Sequence, residues 1–275
     1  MAKHNPRALG TKTPGRHEAR WLWLAGAAIA FVALGVWLLT PRVSIDPDLR
    51  AALIDQLSPT YPNEQFRASV AADVAHFGLP CDIFEGDEVD VDLYRGIGEG
   101  NYGVLVIRSH SGSLESGGAA NQRTTALFTN ERYAEYKHVA EQLNERVLIV
   151  RPFEADPVLT FGVAPSFFAK SMRGELPGTV VVVAGCSVLA RPDLAQALVE
   201  RGASVVVSWD RSVGLDYVDE AAALFVRHLL AEGMTVEEAA AATMAEVGAD
   251  PEFGAVLKYY PTSAGRHNAE ELLRR

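Results

Sequence analysis

The sequence predicts an α/β domain built around a mostly parallel sheet, preceded by one transmembrane helix. Three observations carry that expectation. Runs at 103–109 (GVLVIRS), 179–184 (TVVVVA) and 203–208 (ASVVVS) are continuous and rich in β-branched residues, without polar alternation. Such runs suit parallel strands covered on both faces. Segments with helical spacing at 131–145, 190–201, 216–232 and 235–247 separate or follow them, giving the alternation of an α/β fold. Residues 21–40 (WLWLAGAAIAFVALGVWLLT) carry no charge. Such a stretch spans ~30 Å of hydrocarbon at ~1.5 Å per residue.

Residues 1–20 form a basic tail, with Lys3, Arg7, Lys12, Arg16 and Arg20 against Glu18. Trp21, Trp23 and Trp37 lie near the two ends of the apolar stretch, where indole favours the interface. The residues that follow carry Arg42 and Arg50 against Asp46, Asp48 and Asp55. The positive-inside bias keeps the N-terminus cytoplasmic and sends residues 41–275 across the cell membrane as a single-pass protein. A cleaved signal peptide is the alternative. Its apolar region would be shorter and a small-residue cleavage site would follow, whereas Pro41-Arg42 follows here.

Residues 41–50 read as a linker, since Pro41 and Pro47 interrupt helix. The domain then runs over 51–275. It opens on a short apolar run at 51–57 and a turn through Ser58-Pro59 and Tyr61-Pro62. Phe66, Val70, Val74 and Phe77 share one stripe of a helix over 63–77. A brief strand at 81–85 and a short helix from Val89 to Ile97 lead into the first strong strand. Residues 110–126 are rich in Gly, Ser and other polar types and read as a long loop after it.

Composition narrows the function. The 275 residues carry a net charge of −10 although the first twenty are basic, so the domain is strongly acidic. That charge repels nucleic acid. Gly98, Gly100 and Gly103 fit G-x-G-x-x-G but precede a strand, whereas the dinucleotide fingerprint follows one and opens a helix. The seven histidines show no metal-ligand spacing, and there is no Walker loop, H-E-x-x-H or serine-hydrolase elbow. No metal and no cofactor are implied.

Polar residues cluster where the three strongest strands end: Arg108-Ser109-His110-Ser111-Gly112, then Gly185-Cys186-Ser187, then Ser208-Trp209-Asp210. Ligands of open α/β sheets bind outside the carboxyl edge. Neighbouring strands lie about 4.8 Å apart, so adjacency brings His110 and Cys186 within reach. A thiolate is a strong nucleophile, and a neighbouring imidazole takes its proton and returns it to a leaving group. Gly185 permits close backbone approach, and amides around Cys186 and Ser111 suit an oxyanion. Each residue also has an ordinary role. Cysteine at a strand end commonly packs, a histidine there commonly hydrogen-bonds a loop, and Asp210 suits the N-cap of the next helix. Cys81 begins its strand while Cys186 ends its own. In a parallel sheet those positions lie on opposite edges, beyond the ~7 Å that a disulfide tolerates.

The stretch VLVIRSHSGS (104–113) resembles the histidine strand of the clan CD cysteine peptidases: caspases, separases, gingipains, clostripain and CHAT domains. VVVVAGCSVL (180–189) resembles their cysteine strand. The stretch at 197–213 is similar to the helix and Gly-Ala strand that follow the cysteine in CHAT domains, and 224–240 looks like the tail of that module. The resemblance covers residues 50 to 250. It implies a three-layer α/β/α caspase-like sandwich and a peptide or protein substrate. It also implies Cys186 as nucleophile, His110 as acid and base, and Ser111, Gly112 and Gly185 around the oxyanion. Asp210 and Trp209 would line the pocket for the residue before the cleaved bond, with Asp210 favouring a basic side chain. The chain departs from the family at Ser111, where glycine usually follows the histidine, and at Gly185, where alanine is common. Those departures keep a second reading open, a non-catalytic caspase-like recognition or scaffolding module at the membrane. A small-molecule-binding α/β domain is a third, which the glycine pattern does not favour.

Overall fold

The computed structural model describes residues 46–115, 123–152 and 157–274. The expected tail, the apolar stretch 21–40 and most of the linker lie outside them. Among the described residues no helix is long and apolar enough to cross a membrane.

The three strong strands are neighbours. They are β3 (Tyr102–Arg108), β8 (Val180–Ala184) and β9 (Val205–Trp209), numbered in chain order among the ten strands of the described residues. They belong to a six-stranded sheet of order β10-β9-β8-β3-β1-β2, where β1 is Arg50–Asp55, β2 Cys81–Glu85 and β10 Leu257–Tyr260. Five strands run parallel and β10 closes one edge antiparallel. The apolar run at 51–57 is thus a strand, and β1 takes in the last residue of the supposed linker.

Alternating residues serve two cores, which is why these strands are apolar throughout. Leu53, Val106, Val182 and Val207 face one core, with Phe66, Val70 and Val74 of helix α1 (Glu64–Phe77) and Phe225 of α6 (Leu215–Val226). Ile54, Ile107, Val183 and Val206 face the other. Against them pack Tyr94 of α2 (Val91–Gly96), Phe167 of α4 (Pro165–Lys170) and Leu198 of α5 (Asp193–Glu200). Helix α1 forms as its spacing predicts. The Asn63 side chain accepts the Phe66 amide at 3.0 Å, and Gly78 closes the helix in the left-handed region at φ 99°. The expected 235–247 helix appears as α7 (Val236–Val247), opened by a capping box between Thr235 and Glu238. A π-turn at Arg227–Ala231 extends α6.

A second sheet is absent from the sequence expectation. Its order is β4-β5-β7-β6, all antiparallel, from β4 (Ser111–Glu115), β5 (Arg123–Arg132), β6 (Val147–Val150) and β7 (Thr160–Val163). It corrects two expectations. The described parts of the long loop are the strands β4 and β5. The 131–145 helix shrinks to α3 (Val139–Leu143), because Arg132 pairs with Thr160 and His138 sits at φ 48°, outside helix. The G-x-G-x-x-G run also has a structural explanation: a Cβ at Gly98 would meet the Arg173 carbonyl at 2.5 Å, where the chain bridges to Gly174.

Candidate active site

The register of the central strands sets the geometry. β3 and β8 pair in parallel with Arg108 opposite Ala184. The pairing continues past the strand ends, where the Ser109 amide donates to the Ala184 carbonyl at 3.1 Å. His110 and Cys186 each come two residues after the Arg108–Ala184 pair, at the carboxyl edge. Residue 185 is tightly confined, since a Cβ there would meet the Ser109 carbonyl at 2.5 Å and Ser111 Oγ at 2.6 Å. Glycine is therefore what lets the two segments close on each other.

Both backbone groups of His110 are held. Its N–H donates to Gln56 Oε1 at 2.9 Å, and its carbonyl accepts from the Phe128 amide at 3.0 Å. The ring lies 6.1 Å from that of Phe128. Burial, with the nearby Arg108 guanidinium, pulls the imidazole down to about 4. At neutral pH it is uncharged and able to accept a proton.

Arg108 is itself buried and fully engaged. It grips Asp219 of α6 through two bonds, Nε to Oδ1 at 2.6 Å and Nη2 to Oδ2 at 2.8 Å, and donates from Nη1 to Asp55 Oδ1 at 2.8 Å. Asn63 Nδ2 adds a bond to Asp219 Oδ2 at 2.8 Å. Burial pushes the Asp55 carboxyl up, against the pull of Arg108. Asp219 also lines a cavity of about 490 Å³ with Phe66, Asp216, Glu220 and Glu246, which neither His110 nor Cys186 reaches.

Cys186 is half-buried, and its thiol is directed at the Val213 carbonyl, 3.7 Å away. Burial pushes the thiol up, with a further contribution from the Asp250 charge. Ser187 follows in the left-handed region at φ 58°, its amide bonded to the Arg211 carbonyl at 2.8 Å. Non-glycine residues there store conformational energy, a common feature beside reactive groups. Ser111 Oγ donates to the Cys186 carbonyl at 2.8 Å, and Ser111 and Gly112 enter the β4–β5 ladder opposite Leu127 and Ala126. Cys81 and Cys186 are both free thiols, with β1 and β3 between their strands.

The remaining candidates sit further back. Trp209 is completely buried in the core shared by α1 and α6. Asp210 Oδ1 accepts the Val256 amide at 3.0 Å, extending the β9–β10 pairing. It does not cap the next helix, which starts at Leu215 behind Gly214. The carboxylate whose charge reaches Cys186 is instead Asp250, buried and held by the amides of Gly214, Glu252 and Phe253 at 3.0, 3.1 and 2.6 Å. Sequence reasoning missed Asp250 and Gln56. The Asp250-Pro251 turn signal was an available clue to the first, while Gln56 lay inside what read only as an apolar run. No protein-family model matches the chain, and no curated protein matches it.

Proposed function

We propose that this chain is a caspase-like cysteine endopeptidase anchored in the cell membrane by residues 21–40, its globular domain outside the cytoplasm. One observation carries the reading: His110 and Cys186 follow adjacent parallel strands at matched register positions on the carboxyl edge. In this reading the Cys186 sulfur attacks the carbonyl carbon of a peptide bond while its proton passes to His110 Nδ1 or Nε2. His110 then gives that proton to the departing amine. Water, deprotonated by the same ring, hydrolyses the thioester and restores the thiol. The raised thiol and lowered imidazole disfavour a standing thiolate–imidazolium pair, so proton transfer accompanies attack. The test is peptide cleavage by the full chain in detergent. Cys186→Ala should abolish it, and cleavage that survives the change would refute the assignment.

A second reading, a non-catalytic caspase-like scaffold, is favoured by one observation. The thiol faces the Val213 carbonyl, and the Ser111 hydroxyl is spent on the Cys186 carbonyl. Such a scaffold keeps its membrane partner in pull-downs with the Cys186→Ala form.

A further inference from the structure

We propose that Gln56 is a positioning residue for His110, through which the second sheet holds the candidate base at the carboxyl edge. The inference rests on the Cys186–His110 reading. Gln56 follows β1 as His110 follows β3, and it is 3% exposed. Its own amide N–H donates to the Arg108 carbonyl at 2.9 Å, so its backbone is locked to the His110 strand. Its side chain spans two partners: Oε1 accepts the His110 N–H at 2.9 Å, and Nε2 donates to Asn130 Oδ1 at 2.8 Å. Asn130, on β5, donates from Nδ2 to the Gly86 carbonyl at 2.8 Å, and its backbone amide donates to the Val89 carbonyl at 2.7 Å.

The direction of every bond in this chain is fixed by chemistry. A backbone N–H accepts nothing, so Gln56 must turn its oxygen to His110. Its nitrogen then needs an acceptor, which obliges Asn130 to present oxygen and leaves the Asn130 nitrogen for Gly86. A reversed amide anywhere would set donor against donor. The relay ends on β5, the strand whose Phe128 amide binds the His110 carbonyl. β5 thus grips both sides of the His110 backbone, one side directly and one through Gln56.

A packing residue and a positioning residue are told apart by what they do to His110. Around the imidazole stand Arg108 on β3, whose charge is shared with Asp55 of β1 and Asp219 of α6, and uncharged Phe128 on β5. Gln56→Glu keeps the acceptor for the His110 N–H and adds a negative charge, but gives up the donor to Asn130 Oδ1. Gln56→Met removes both bonds at similar size. Asn130→Ala removes only the outer bond.

The experiment measures iodoacetamide alkylation of Cys186 against pH in the full chain in detergent, with the His110 titration followed by NMR of ¹³C-labelled histidine. His110→Ala runs in the same series. Gln56→Met should slow alkylation at pH 7 by about tenfold through misplacement of the base, with a smaller loss in Asn130→Ala. Gln56→Glu should restore part of the rate and move the His110 titration up by about one unit. Wild-type alkylation in Gln56→Met and Asn130→Ala, or an unmoved titration in Gln56→Glu, would overturn the inference while a slow His110→Ala leaves the dyad standing. Alkylation unchanged in His110→Ala would remove the dyad reading, and this inference with it. Should Gln56→Met not fold, Gln56→Glu and Asn130→Ala decide the matter.

Discussion

The Ser111 hydroxyl donates a hydrogen bond to the Cys186 carbonyl at 2.8 Å, tying the segment after β3 to the segment after β8. Ser111 therefore has a structural task. It braces the turn that carries the candidate nucleophile, and Gly185 lies directly beneath it.

Ser111→Ala removes that brace. A neutral hydrogen bond of this kind is worth about 1 kcal/mol, which for a domain of this size is about 2–4 °C in Tm. Thermal unfolding followed by circular dichroism checks the loss, and an unchanged Tm would show that the bond carries no weight.

Gly185→Ala should cost more, because the added methyl meets a backbone carbonyl as well as a side chain. Overpacking of this sort costs about 1–3 kcal/mol, read as a lower urea midpoint with an unchanged slope. The double variant with Ser111→Gly should recover only part of it, since the Ser109 carbonyl stays in place.

Removing Arg108 leaves Asp55 and Asp219 buried without their cation. Arg108→Met should destabilise the fold by roughly 3–5 kcal/mol, measured by urea unfolding. Because the Arg108 charge helps to depress His110, folded Arg108→Met should also titrate His110 at higher pH.

Acid should weaken the fold through His110. Folded, the imidazole titrates at about 4, against 6.5 for an ordinary histidine. Between those values the unfolded chain binds the extra proton, so stability rises with pH. The contribution is whole above ~6.5 and lost as pH falls toward ~4, to an extent of roughly 3 kcal/mol. Urea midpoints from pH 4 to 8 should show a smaller acid loss in His110→Gln than in the wild type. Equal losses would contradict the burial of a neutral imidazole.

The sequence was legible where one physical rule dominated. Val180–Ala184 and Val205–Trp209 are buried on both faces, so their composition alone marks them as central strands. The stripe of Phe66, Val70 and Val74 marks α1 in the same way. The second sheet was not legible. Arg123–Arg132 mixes buried and exposed positions without clean alternation, and the good helix formers after it suggest a helix that the left-handed His138 interrupts. At the edge, His110 and Cys186 were readable from strand ends. Gln56 was not, because β1 read only as an apolar run. Asp210 carries a charge at the strand end, yet its carboxylate binds a backbone amide and the charge acting on Cys186 comes from Asp250, remote in sequence.

The role proposed for His110 is that of base for Cys186. Its most direct test is the alkylation rate of Cys186 by iodoacetamide against pH, with the adduct located by mass spectrometry and His110→Ala alongside. Alkylation should be slow below pH ~8.5, the ordinary thiol value, in keeping with the raised thiol, yet faster than in His110→Ala wherever the imidazole has lost its proton. A rate that rises only near or above ~8.5 and is the same in both proteins would contradict it.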